Sequence, residues 1–295
     1  MKVQKLIKMA YKENKRSSLA IYLILRFLVI LCMFLQLIRG DLNNALLCLL
    51  SLILLFAPLF IQNKFEITLP DGLEIAIYLF IFSAEILGEI NNFYGIIPYW
   101  DTMLHTINGF LATAVGFSLV NLLNNNSTHI NLSPFYLCLV AFCFSMTIGV
   151  LWEFFEYGMD KTFNMDMQKD RVVSQISSVN LNEEKKNEAV TIKNIEKTQI
   201  YGTVNKSPTV ITIDNGYLDI GINDTMKDLL VNFVGAVVFS ILGLLYIKNR
   251  DEYKFTEEFM PMVKTEEEIE ETRQELERLE KVLEQKKQRK QHENK

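Results

Sequence analysis

The sequence predicts an all-α integral membrane protein with six transmembrane helices, and three observations support that prediction. Hydrophobic residues make up 49% of the 295-residue chain. They are concentrated in runs of about 20 residues with almost no charge, which suffice to cross roughly 30 Å of hydrocarbon at about 1.5 Å per residue. Because lipid offers the backbone no hydrogen-bond partners, such runs must be helical. A strongly charged C-terminal segment follows the last run.

Composition excludes two broad classes of function. A soluble enzyme does not carry several uncharged runs of this length. Acidic residues outnumber basic ones by 35 to 30, for a net charge of −5, so no basic face is available for nucleic-acid phosphates. The four cysteines lie in apolar runs without the spacing of a zinc site, and we interpret them as small hydrophobic side chains.

The predicted spans follow one another closely, apart from one long gap before the last. The first has a basic start like that of a signal peptide, but its apolar run is too long and no cleavage site follows. The third begins at Pro70 and Asp71, where Glu74 completes a helix-capping pattern. The six spans are residues 19–38, 42–61, 71–90, 102–123, 134–157 and 228–247.

Short-segment charge predicts the orientation of these helices in the cell membrane. Six lysines and arginines precede the first span, which places that end in the cytoplasm. Six crossings return the chain to the same side, so both termini are predicted to be cytoplasmic. The predicted parts are a basic N-terminus (1–18), five helices (19–157), an extracytoplasmic insertion (158–227), the sixth helix (228–247) and a charged tail helix (248–295).

The two soluble segments differ in their patterns. In the insertion, residues 190–213 have strand-like stretches before the turn signal Asp214-Asn215-Gly216, which predicts a small, partly β lid. In the tail, Ile269, Leu276 and Leu283 recur every seven residues. That spacing fits a weak coiled coil through which a homo-oligomer could form, and equally a single solvated helix.

Ionisable residues inside spans are costly and usually functional. Here the alternation of the spans brings the outer ends of the third to sixth helices to one membrane face, and each of those ends carries acidic residues on one helical side. Five residues are predicted metal ligands: Asp101, His105, Glu153, Glu156 and Asp228. Six polar neighbours are expected to support them: Glu85, Glu89, Asn108, Asp160, Asp224 and Asn232.

One imidazole among several carboxylates suits a divalent ion such as Mg²⁺, Mn²⁺ or Zn²⁺. We therefore expect an outward-facing site for such a cation, or for a lipid headgroup or lipid-linked substrate bridged by it. Two alternatives stay open. The carboxylates could relay protons or cations in a transporter or channel, or the cluster could be structural, with Asp101 and Asp224 as helix caps. No HExxH, GxSxG or Walker motif is present, so the sequence names no reaction.

Three segments around these residues resemble the YjdF-like family of uncharacterised bacterial membrane proteins. They are Trp100-Asp101-Thr-Met-Leu-His105-Thr-Ile-Asn-Gly109-Phe110, Trp152-Glu153-Phe-Phe-Glu156-Tyr157 and Asp224-Thr-Met-Lys-Asp228-Leu-Leu-Val-Asn232-Phe-Val-Gly235-Ala236. A looser similarity runs to VanZ-like proteins, which share the order D-x-x-x-H, acidic helix end, D-x-x-x-N-x-x-G. The resemblance implies a bacterial polytopic membrane protein and no established reaction. VanZ-like proteins are associated with glycopeptide tolerance. The long insertion and the charged tail distinguish this chain from them, so we do not assign that role to it.

Overall fold

The computed structural model describes residues 16–64, 67–126, 131–164, 166–264, 269–270 and 273–274. The chain is mostly helical there. The helices are α1 (Arg16–Arg39), α2 (Leu42–Leu54), α3 (Ala57–Lys64), α4 (Asp71–Ile81), a π-helical segment (Phe82–Ile90), α5 (Phe93–Ile96), α6 (Trp100–Asn126), α7 (Pro134–Phe163) and α8 (Ile222–Lys248). Short antiparallel strands and a 3₁₀ helix (Val179–Leu181) lie between α7 and α8.

Five helices of the described chain are long and apolar enough to cross a membrane: Ser17–Arg39, Leu42–Lys64, Trp100–Asn124, Pro134–Phe163 and Ile222–Lys248. Large apolar side chains such as Phe27, Phe34 and Ile38 are exposed on them, as expected of a surface that faces lipid. The predicted third span is helical from Asp71 to Ile90 but contains four carboxylates and is not among the five. The helical membrane class is confirmed, and the count of six stays a prediction.

The chain forms two compact units, made of the described parts of Met1–Thr147 with Val231–Lys295, and of Ile148–Leu230. The first unit contains three apolar clusters. One joins α1, α2 and α4 around Tyr22, Cys48 and Tyr78. A second joins α6, the start of α7 and the end of α8 around Phe117 and Phe239. The third surrounds Leu73 at the start of α4. Apolar packing therefore fixes the helices of this unit.

α6 and the second half of α8 approach each other backbone to backbone. A Cβ atom built on Gly109 would lie 2.1 Å from the carbonyl oxygen of Asn232, and one built on Gly235 would lie 2.0 Å from that of Thr106. Only glycine allows this approach, since real Cβ atoms do not come so near a backbone oxygen. The two helices are thus locked together at one crossing point.

Glu74 has a different role from the predicted one. The N-cap of α4 is Pro70, with no side-chain cap bond, so the capping pattern of Asp71 and Glu74 does not form. Glu74 is instead 2% exposed and accepts hydrogen bonds from Ser18 Oγ (3.2 Å) and Tyr78 OH (2.8 Å). The carboxylate points into the bundle because two hydroxyl donors on α1 and α4 are available there.

Arg26 of α1 is held by aromatic residues. Its guanidinium donates to the hydroxyl of Tyr22 and lies 4.4 Å from the ring centroid of Phe56. Cation–π contact of this kind stabilises a charge that is partly removed from water. Arg26 is therefore accommodated inside the helix bundle by its neighbours.

The second unit contains the C-terminal half of α7, the start of α8 and the insertion between them. The strands there are β2 (Arg171–Val173), β3 (Ile176–Ser178), β4 (Val190–Ile192), β5 (Lys197–Val204), β6 (Ser207–Asp214) and β7 (Tyr217–Asp219). β2 pairs with β7, β3 with β4 and β5 with β6, all antiparallel. The β5–β6 hairpin turns at Asn205 and Lys206, whose φ angles of 51° and 68° fit a tight two-residue loop. The expectation of a partly β insertion is confirmed.

The first part of the tail is not the predicted α-helix. A 3₁₀ helix (Lys254–Phe259) leads into β8 (Met262–Val263), which pairs antiparallel with β1 (Ile67–Thr68). Pro261 cannot continue a helix, and Met260 is buried in the cluster around Phe117 and Phe239. Burial of Met260 therefore holds this part of the tail against the helices. Of the predicted coiled-coil segment, 269–270 and 273–274 are described and helical, and the rest lies outside the described residues.

Candidate functional site

The first turns of α6 bring Asp101 and His105 together. Nε2 of His105 lies 3.3 Å from Oδ1 of Asp101, and both side chains are largely buried. The i,i+4 spacing places them on one helical face, and the positive end of the helix dipole favours a carboxylate at this position. An imidazole oriented by a neighbouring carboxylate is an arrangement common at metal sites.

One turn further along α6, a pair of amides links it to α8. Asn108 Nδ2 donates to Asn232 Oδ1 at 3.0 Å, and Asn232 Nδ2 lies 3.7 Å from Sδ of Met146 on α7. Ser145 Oγ donates to the carbonyl oxygen of Gly109 at 2.8 Å. Polar side chains of three helices therefore meet in the first unit, where Asn108 and Asn232, two of the residues expected to support the site, are bonded to each other.

In the second unit, α7 separates its acidic from its aromatic residues. Glu153 is 4% exposed and Glu156 is 8% exposed, whereas Phe154 and Phe155 between them are exposed. Oε1 of Glu156 accepts a hydrogen bond of 2.8 Å from Trp152 Nε1. The one-sided acidic face predicted from the i,i+3 spacing is therefore buried, and the aromatic face is turned outward.

Asp160 and Asp224 hold the first residues of the insertion. The two carboxylate oxygens of Asp160 accept from the backbone amides of Met167 and Gln168, at 2.7 and 2.9 Å. Asp224 accepts from the amide of Lys169 and from Nη2 of Arg171, both at 2.9 Å. Both carboxylate oxygens of each aspartate accept hydrogen bonds from the insertion. These two predicted supporting residues therefore fix the conformation of the loop.

Negative charge is concentrated where the insertion meets the helices. Partial burial, followed by the charges of Asp166, Asp160 and Asp219, raises the pKa of the Asp170 carboxyl above its usual range. The same charges that disfavour another anion favour a cation.

Asp228, the remaining predicted ligand in this unit, is 1% exposed. The ammonium of Lys227 lies 3.5 Å from its Oδ1. Sequence reasoning missed Lys227 as part of the site, although it is a cation set directly between the acidic residues Asp224 and Asp228.

Glu85 and Glu89 lie on the π-helical segment, which sequence reasoning also missed. The carbonyl oxygen of Ser83 in that segment accepts from Nε1 of Trp100 at 3.3 Å. π-helical turns are rare and frequently occur at functional sites. The spacing of the two glutamates on this segment therefore differs from the α-helical spacing that predicted their common face.

Helices able to cross a membrane, with carboxylates buried among them, define a multipass membrane protein in contact with the lipid bilayer. The chain belongs to the family described as predicted membrane protein (DUF2238), whose sequence profile matches residues 20–249. This membership is consistent with the resemblance to the YjdF-like family.

A curated relative is an uncharacterised protein of Thermotoga maritima, 27% identical over 106 residues. The match covers 36% of this chain and 53% of the relative, so the chain spans about half the length of that protein. No solved structure matches the chain.

Proposed function

We propose that this bacterial membrane protein carries an outward-facing site for a divalent cation, or for a lipid headgroup bridged by such a cation. The observation that carries the proposal is the contact between Asp101 and His105, one turn from the Asn108–Asn232 hydrogen bond. Asp101, His105 and Asp228 are the proposed central ligands. One imidazole nitrogen and two carboxylates are donors of the kind that a divalent metal ion takes.

Helix geometry supports the inclusion of Asp228. α8 is one continuous helix, in which Asp228 precedes Asn232 by four residues, or about one turn. His105 precedes Asn108 by about one turn on α6 in the same way. If both helices enter the membrane from the same side, the faces that carry the amide pair also carry the imidazole and the carboxylate. Glu153 and Glu156 are proposed as further ligands.

The proposed topology has six crossings, with both termini in the cytoplasm. Strands joined by backbone hydrogen bonds lie on the same side of a bilayer, so the pairing of β1 with β8 favours an even number of crossings between them. α6, α7 and α8 supply three. The helix from Asp71 to Ile90 is the segment that would supply the fourth.

A transporter that moves protons or cations is a second candidate, and one observation favours it. α4 and its π-helical continuation carry carboxylates at both ends, with Glu74 near the start and Glu85 and Glu89 near the finish. A relay needs such groups at both membrane faces. Proton flux into liposomes that contain the purified protein, compared with the Glu74→Gln variant, tests this candidate.

The cation site is tested by melting temperature in detergent, with added Mn²⁺, Mg²⁺ or Zn²⁺ or with a chelator. A bound ion at about one hundred times its dissociation constant stabilises the folded state by about 2.7 kcal/mol. We expect one of these ions to raise the melting temperature of the wild type, and His105→Ala and Asp228→Asn to abolish most of that shift.

Asp214→Asn is the matched control, since it removes one carboxylate from the exposed end of β6. It should keep the full shift. The proposal fails if neither the ions nor the chelator change the melting temperature of the wild type and the variants are at least as stable as the wild type. The cluster would then have only a structural role.

A further inference from the structure

The side chain of Lys227 contacts the carboxylate of Asp228, although adjacent residues on an α-helix usually point in different directions. Consecutive residues on an α-helix leave its axis about 100° apart and do not face each other. The Lys227 side chain nevertheless places Nζ 3.5 Å from Oδ1 of Asp228, its immediate neighbour on α8. The side chain is 28% exposed, while that of Asp228 is 2% exposed, so the lysine stem spans from the surface to a buried anion.

The other nearby aspartate, Asp224, pairs with Arg171 and not with Lys227. Asp224 lies three residues before Lys227, a spacing at which side chains do meet. Its two oxygens accept from Arg171 and from the amide of Lys169 instead. The ammonium of Lys227 is therefore positioned at Asp228, the aspartate that we propose as a metal ligand.

We infer that Lys227 is a tethered counter-ion that regulates the proposed cation site. Its ammonium balances Asp228 while no divalent ion is bound, and it withdraws when an ion binds that carboxylate. The inference rests on the proposed function and names the regulation of the same site.

The chemistry of the two cations supports this exchange. An ammonium is a compact single charge on a flexible stem, which can swing back into water at low cost. A divalent ion carries twice the charge and would repel an ammonium at the same oxygen. Every ion that binds must therefore displace Lys227, which raises the concentration needed to fill the site.

The test is a titration of the full-length protein in detergent with Mn²⁺. Electron paramagnetic resonance measures the concentration of Mn²⁺ that remains unbound at each step. Lys227→Gln removes the competing charge, so we expect its dissociation constant to fall by roughly two- to fivefold, as for loss of one partly exposed ion pair. Lys227→Arg keeps the charge and should bind within about twofold of the wild type. A single elution peak in size-exclusion chromatography establishes that each variant is folded.

Lys186→Gln is the matched control, because Lys186 forms an ion pair with Glu184 in the same unit but far along the sequence from Asp228. It should bind Mn²⁺ as the wild type does. If the wild type binds Mn²⁺ and Lys227→Gln binds it equally or more weakly, the counter-ion role is overturned and the cation site stands. If neither the wild type nor any variant binds Mn²⁺, the counter-ion role is overturned; if, in addition, no divalent ion shifts the melting temperature of the wild type, the cation site is overturned with it.

Discussion

The amide of Asn108 donates a hydrogen bond of 3.0 Å to the side-chain oxygen of Asn232, joining α6 to α8 at the centre of their crossing. Asn232 is buried, and its backbone carbonyl oxygen packs so closely against Gly109 that a Cβ atom there would clash with it. Polar bonding and close backbone packing therefore coincide at one level of the bundle. This crossing positions the helix turns that carry Asp101 and His105.

Asn232→Ala should destabilise the bundle. The change leaves the amide of Asn108 without its acceptor and removes a buried side chain, at a cost of about 0.6–2 kcal/mol. Denaturant unfolding followed by circular dichroism measures the loss. Asn187→Ala, at an exposed position of the insertion, should have little effect. Equal stability of the two variants would mean that the amide pair does not hold the helices.

Gly235→Ala should be more disruptive than its size suggests. Its new methyl group would lie 2.0 Å from the carbonyl oxygen of Thr106, so α6 and α8 must separate, at a cost of about 1–3 kcal/mol. Gly158→Ala on α7 is the control, since nothing lies within 4 Å of its Cβ position. There the better helix propensity of alanine should be neutral or stabilising by up to about 1 kcal/mol. Melting temperatures that rank the variants in the opposite order would contradict the close crossing.

Tyr78→Phe should destabilise the buried face of α4 that packs against α1. It removes the hydroxyl that donates to Glu74 but keeps the ring, whose centroid lies 5.3 Å from that of Tyr22. Loss of this bond to a charged acceptor should cost about 1–3 kcal/mol in unfolding free energy. A double-mutant cycle with Glu74→Gln measures the coupling, and additive effects would show that the two side chains do not interact.

Glu257 should make stability depend on acid pH. Hydrogen bonds from Tyr246 OH (2.8 Å) and then Arg250 Nε (3.0 Å) hold the pKa of this carboxyl below its usual value. A lowered folded-state pKa means that the stabilisation is fully present above the unfolded pKa of about 4.3 and is lost as pH falls through the folded value. The melting-temperature difference between wild type and Glu257→Gln should therefore shrink in strong acid. A constant difference across that range would argue against the linkage.

The insertion should be accessible from outside the cell. Ser177→Cys, in a variant lacking the four native cysteines, should react with a membrane-impermeant thiol reagent in intact cells, because Ser177 is exposed. A cysteine in an added C-terminal tag should react only after lysis. The reverse pattern of labelling would invert the proposed orientation.

Local spacing predicted part of the site because its information lies within single helices. The i,i+4 pair of Asp101 and His105 and the buried face of Glu153 and Glu156 follow from helical periodicity alone. The π-helical turn, the reach of Lys227 and the bond from Ser18 to Glu74 do not, since they depend on what packs beside each residue. The start of the tail differs from the predicted α-helix for the same reason: Lys254–Phe259 and Met262–Val263 take other structure because Met260 between them is held by a distant cluster.

The pairing of β1 with β8 also orders events during synthesis. Ile67 emerges from the ribosome early, and its partner Val263 emerges after the last membrane helix. Until then β1 has no strand beside it, although Ile67 and Leu69 are buried in the finished protein. Because β8 follows the last long helix, it can pair with β1 only after the whole chain between them has been made. Closure of this two-stranded sheet is therefore expected to come last in folding, and a chain that stops before Met262 would leave β1 with an unpaired strand edge.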